Sequence, residues 1–129
     1  MTIREAMDKS AALRPGLFAA ADKIAWLAQL DAQIDVEIIR THANAPEEDF
    51  VPYAAEGGDM VDMETELLVS APYDKLYVSF LLAQADFYSG DYDKFNNSQR
   101  RYASDYDEFA AYYNRTYMPL QGSSIKVGG

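Results

Sequence analysis

Residues 73–92 read YDKLYVSFLLAQADFYSGDY, and this stretch decides the architecture. Tyr73, Leu76, Tyr77, Phe80, Gln84 and Phe87 recur at the spacing of one helix face, while Val78 and Leu82 fall on the other. A helix that is apolar almost all round has to be surrounded, so this third helix is expected at the centre of a bundle. Ser70-Ala71-Pro72-Tyr73-Asp74 marks its start, because proline fits a first helical turn and aspartate favours the positive end of the helix dipole. Ser89-Gly90-Asp91 ends it near Tyr88 and opens another helix near Tyr92. So short a connection makes the two helices pack antiparallel as a hairpin.

Working outward, the fourth helix runs to about Tyr117 with Phe95, Tyr102, Tyr106, Phe109 and Tyr113 as its stripe, and Pro119 follows as a stop. Upstream, roughly Asp22 to Arg40 forms helix two, with Ile24, Leu27, Leu30, Ile34 and Ile38 in line and Trp26 at the edge. Asp31 falls within that stripe; the expectation is an edge position that reaches water, the alternative a buried donor that holds it. A short first helix begins at the capping-box pair Thr2 and Glu5, continues through Ile3, Met7, Ser10 and Leu13, and stops at Arg14-Pro15-Gly16.

Between helices two and three, residues 41–74 contain no Lys or Arg but collect Glu47, Glu48, Asp49, Glu56, Asp59, Asp62, Glu64 and Glu66 beside Pro and Gly. This is a long acidic loop, with at most one or two short strands at Val61–Glu64 and Leu67–Val69. After Tyr117 the composition is that of a linker carrying Ile125 and Val127. The expected fold is therefore all-α: a single domain over 1–129, with a bundle of about four helices in 1–117 and an extended C-terminal arm in 118–129.

The 129 residues suffice for one core, and no apolar run has the length of a signal peptide or membrane span. Synthesis in the cytoplasm, without membrane insertion, is the expectation. The absence of cysteine excludes disulfides and thiolate chemistry, and the net charge of -10 disfavours wrapping on nucleic-acid phosphates. Ten Tyr against one Trp suit protein contacts, because a tyrosine ring is apolar with a polar tip.

Catalytic and ligand-binding patterns are thin. His42 is the only histidine, too few for a zinc site or a Ser-His-Asp relay, and it reads as a residue near a helix C-terminus. The acids at 59–66 lack the alternation of a calcium loop, and Asp31 with Asp35 is a spacing that any solvated helix face produces. Gly57-Gly58 and Gly128-Gly129 lack the context of a phosphate cradle. No cofactor and no metal are expected. An enzyme would need a deep polar pocket lined by Asp31, Tyr77 and His42.

One row on helix four suits assembly. Lys94, Arg101, Glu108 and Arg115 are spaced by seven and lie next to Tyr112, so a mostly basic line could receive the acidic loop of its own or a neighbouring subunit. The plainer reading is a solvated mixed-charge face.

Trp26-Leu27 with Leu30-Asp31, Glu66-Leu67-Leu68-Val69 leading into Pro72-Tyr73-Asp74, Tyr88-Ser89-Gly90-Asp91-Tyr92 with Asn96-Asn97-Ser98, and Tyr113-Asn114-Arg115-Thr116-Tyr117-Met118-Pro119 together resemble the head-tail connector, or adaptor, proteins of tailed phages. The resemblance runs from helix two to Pro119 and rests on order and pattern. It implies a structural virion protein without catalysis, made in the bacterial host and located at the head-tail junction. It further implies a helical subunit repeated around a ring, a dodecamer, that docks beneath the portal and meets tail or neck proteins while DNA passes through unbound. Arms in that family grip the portal or the next subunit, which would give Ile125 and Val127 an assembly role beside Lys94, Arg101, Tyr112 and Arg115. The rival from another class is an acidic mimic of DNA that blocks a basic partner.

Overall fold

The computed structural model describes residues 1–16, 18–48, 50–51, 53 and 61–120. Among them four α-helices follow in order: α1 Ile3–Leu13, α2 Ala20–Glu37, α3 Lys75–Tyr88 and α4 Tyr92–Thr116. The fold is thus all-α, as the apolar spacing requires. α3 packs against each of the other three helices, whereas α4 packs chiefly along α3 and reaches α2 through the Tyr106 hydroxyl, which donates to Glu37 at 2.9 Å. Leu76, Tyr77 and Leu81 of α3 form one cluster with Ile3 of α1, Leu27, Leu30 and Ile34 of α2, and Phe109 of α4. Each such fully buried side chain contributes about 1.5–3 kcal/mol relative to exposure.

The α3–α4 turn is built from local rules. Gly90, at φ +75°, takes the left-handed position past the end of α3. Its N–H donates to the Phe87 carbonyl at 3.1 Å and the Asp91 N–H donates to the Asp86 carbonyl at 3.1 Å, so two carbonyls of the last turn are satisfied. Asp91 then caps α4, its side chain accepting from the Lys94 N–H at 3.2 Å. One residue therefore closes one helix and opens the next.

The N-terminus of α1 is capped twice over. Thr2 and Glu5 form the reciprocal capping box, each side chain accepting from the other's backbone N–H at 3.1 Å. The next orphan donors go to the loop: Ile3 N–H to the Thr65 carbonyl at 3.0 Å and Arg4 N–H to the Met63 carbonyl at 2.9 Å. This is why residues 62–67 lie across the start of α1. At the loop's other end Arg40 donates to the Pro46 and Glu48 carbonyls while pairing with Asp35 at 3.2 Å.

Several boundaries differ from the sequence reading. Residues 70–74 form a turn instead of the first turn of α3, since Tyr73 N–H reaches the Ser70 carbonyl and Tyr77 N–H the Asp74 carbonyl through three-residue steps. α2 ends at Glu37, and a 3-10 turn, Ile39–Thr41, carries the chain to His42. In place of strands, the described part of the loop makes one isolated bridge, Thr2 with Glu66, while Leu67 and Val69 are buried in the core. On α4 only Phe109 of the expected stripe is buried; the other buried positions are Ser98 and Asp105. Most of the arm, including Ile125 and Val127, and loop residues Asp49, Glu56 and Asp59 lie outside the described residues. Pro119 pairs with His42 as an isolated bridge, so the chain leaving α4 runs beside the end of α2.

Candidate assembly surface

Inside the bundle, buried acids tie one helix to another. Ser79 of α3 donates to Asp105 of α4 at 2.9 Å, and Ser98 of α4 donates to Asp86 of α3 at 2.9 Å. Each helix carries a Ser followed seven residues later by an Asp, and the antiparallel hairpin sets the two pairs against each other head to tail. Each carboxylate also has a cation. Arg14 forks onto Asp86, Nε to Oδ1 at 2.9 Å and Nη2 to Oδ2 at 3.3 Å, which brings the end of α1 to α3. Lys75 and Arg101 approach Asp105 at 4.0 Å from the two helices. The residue that terminates α1 is thus also a tertiary anchor.

Asp31 is the most deeply buried acid among the described residues, with no exposed surface. Its Oδ1 accepts from the Tyr77 hydroxyl at 2.6 Å, and its Oδ2 accepts from the Leu68 N–H at 3.3 Å and the Tyr53 hydroxyl at 3.4 Å. Tyr77 in turn accepts from the Val69 N–H at 2.8 Å. The network joins α2, α3 and the acidic loop. Burial pushes the Asp31 carboxyl up, the three donors pull it part of the way back, and it stands at about 6. Burial, then the Asp31 charge, pushes the Tyr77 and Tyr53 hydroxyls upward, so both remain donors. The sequence placed Asp31 at an edge reaching water; the buried donors overturn that.

His42 is buried at the bundle's other end. Its Nδ1–H donates to the Ile38 carbonyl at 2.6 Å, its Nε2 meets the Asn114 side-chain amide at 2.9 Å, and its ring stands edge-on to Tyr113. It is far from solvent and serves to join the end of α2 to the end of α4. Asp31 and Tyr77 do meet, but both are fully buried, and His42 belongs to a separate cluster, so the three do not line a common pocket. Among the described residues every buried side-chain nitrogen and oxygen has a partner, and no three metal-binding side chains are grouped. No helix there is long and apolar enough to cross a membrane.

The row on α4 is exposed but divided by local pairing. Lys94 turns back to Asp91 at 3.7 Å, Arg101 leans toward Asp105, and Glu108 is held by Lys75 at 2.9 Å. Arg115 is exposed in the last turn of α4. Tyr112 is half-buried and stacks on Tyr73 with ring centres 4.4 Å apart. It belongs to an aromatic groove of about 510 Å³ that also has Tyr113, Tyr117, Phe109, Pro46 and Pro72 in its walls.

A second groove, of about 580 Å³, escaped the sequence reading. α1 and α4 flank α3 with their backbones apart, so α3 shows a strip between them. Val78 and Leu82 form its floor with Ala12 and Leu13 of α1, and Lys9, Lys75 and Arg101 stand at the rim. The helical wheel had marked Val78 and Leu82 as apolar; only the placement of α1 and α4 could show that neither helix covers them. Beyond it, the hairpin tip exposes Phe87, Tyr88 and Tyr92. Compared with protein-family models, with curated proteins and with solved structures, the chain matches none.

Proposed function

We propose that this chain is a structural assembly subunit, and that its place is the head-tail junction of a tailed phage, as a connector repeated in a ring beneath the portal. One observation carries the assembly part: the buried polar groups are consumed by ties between helices, while large apolar side chains stay outside. Leu13, Val36, Tyr88, Tyr92 and Met118 are each more than half exposed. Surfaces of this kind suit protein contacts. α4, the longest described helix with 25 residues, packs chiefly along α3, and most of its residues stay exposed for partners. The phage part is supported by the order of segments from Trp26 to Pro119.

The DNA-mimic reading gains less support. A mimic needs its acids outward at regular spacing, and Asp31, Asp86 and Asp105 point inward. Purified particles of a phage whose genome encodes this protein, labelled with an antibody to it, test the proposal. Label at the head-tail junction is expected; particles without label would overturn it. Arg101→Glu with Arg115→Glu asks whether the basic row takes part: loss of incorporation is expected, and normal incorporation removes the row from the interface.

A further inference from the structure

We propose that the groove between α1, α3 and α4 receives the tip of the α3–α4 hairpin of a second copy of this chain. The argument is one of complementary chemistry on two different patches. The groove is apolar at the floor, with Val78, Leu82 and Leu13, and its rim carries Lys9, Lys75 and Arg101 beside the carboxylates of Asp74 and Asp105. The tip has the inverse pattern: Tyr92 projects, exposed, with Asp91 and Asp93 on either side, and the partly exposed rings of Phe87 and Tyr88 lie beside it, packed on Phe95 and Trp26.

Charge decides why a second copy is the occupant. The molecule carries -10 overall, so two copies repel across most orientations. Three cations against two lining carboxylates, Asp74 and the buried Asp105, leave the groove less acidic than the rest of the surface, so the favoured orientation is the one that brings an acidic projection to Lys9, Lys75 and Arg101. Lys9 and Asp93 make no ion pair among the described residues, so each is available across the contact. Lys75 and Arg101 keep 48% and 76% of their side-chain surface exposed beside their internal partners, which leaves donors facing outward. The volume of about 580 Å³ accommodates an aromatic side chain such as Tyr92 with its neighbours.

Because groove and tip are distinct patches, such a contact can propagate from copy to copy, and a propagating contact closes into a ring or extends as a filament. The inference deepens the assembly reading, and it rests on that reading only in requiring that copies meet.

The absence of cysteine makes disulfide trapping specific. Leu13→Cys in one full-length copy and Tyr92→Cys in a second, distinguishable by mass, are mixed under mild oxidation. Separate copies are used because Leu13 and Asp91 line the same crevice within one molecule. Both sites are more than half exposed, so neither substitution empties the core. The expected result is a mixed disulfide several-fold more abundant than that of a control pair, Val36→Cys with Tyr92→Cys. Adding Lys9→Glu and Arg101→Glu to the groove copy should lower the yield, and adding Asp93→Lys to the tip copy should restore it. Equal yields from the two pairs, or a yield indifferent to charge reversal, overturn the proposal. Trapping without label on virions would leave the tip-in-groove contact standing and remove the phage assignment; label on virions without trapping would do the reverse.

Discussion

Asp31 shows how a single buried acid links α2 to the chain passing over it. Its carboxyl, ordinarily near 3.8, is pushed to about 6 by burial. The folded value lies above the unfolded one, so the stabilisation belongs to the protonated form: it is complete below the unfolded value and disappears as the pH rises through about 6. The full span amounts to roughly 3 kcal/mol. Asp31→Asn cannot ionise. Urea unfolding of both proteins at about pH 4 and about pH 8 should show the stability difference moving toward the variant as pH rises, by up to that amount. Parallel curves would mean that Asp31 does not change protonation in this range. Tyr77→Phe acts on the same network by leaving the buried Val69 N–H without an acceptor and Asp31 without its shortest donor. A loss of about 1–3 kcal/mol is expected at neutral pH, read from the same unfolding curves.

At the scale of elements, the hairpin is held by its turn and by the two crossed Ser–Asp pairs. Gly90→Ala places a side chain where nothing lies within 4 Å, so its cost comes from the positive φ alone. About 1 kcal/mol is expected, visible as a lower melting temperature with unchanged helix content. Asp86→Ala should cost about 1–3 kcal/mol, because Arg14 loses the carboxylate it forks onto, while Ser98 can still donate to the Lys94 and Phe95 carbonyls. Adding Arg14→Met should recover part of that loss, and no recovery would mean that the pair does not act as a unit. The same elements show what local sequence can reveal. The capping box at Thr2, the glycine turn and the helical stripes are readable because their partners lie within a few residues. The Tyr77–Asp31 and Ser79–Asp105 bonds join residues 46 and 26 positions apart, so periodicity marks which side chains turn inward but not what they meet. The seven-residue Ser-to-Asp spacing on both hairpin helices was the available signal. The start of α3 was misplaced for the opposite reason: 70–74 has helix-start residues, yet three-residue hydrogen bonds keep it a turn.

Across the whole molecule, 21 acids face 11 basic residues, and the ties just described use the cations sparingly. Arg14 and Arg40 are placed 2.9 and 3.2 Å from the inward carboxylates of Asp86 and Asp35. Close pairs of that kind are screened little by salt, whereas repulsion between distant surface acids is screened strongly once the Debye length falls from about 30 Å at 0.01 M to about 8 Å at 0.15 M. The net effect of adding sodium chloride over that range should therefore be stabilising, as the repulsion fades faster than the attraction. A rise of a few degrees in melting temperature is expected at neutral pH, and it should shrink near the isoelectric point of about 4.3, where the net charge is lost. The opposite trend, a fall with salt at neutral pH, would mean that the ion pairs outweigh the repulsion, and that the surface charge is less a burden on the fold than its excess of acids suggests. Association through the basic-rimmed groove can be separated from this effect, since self-repulsion within one copy is independent of protein concentration whereas contact between copies is not.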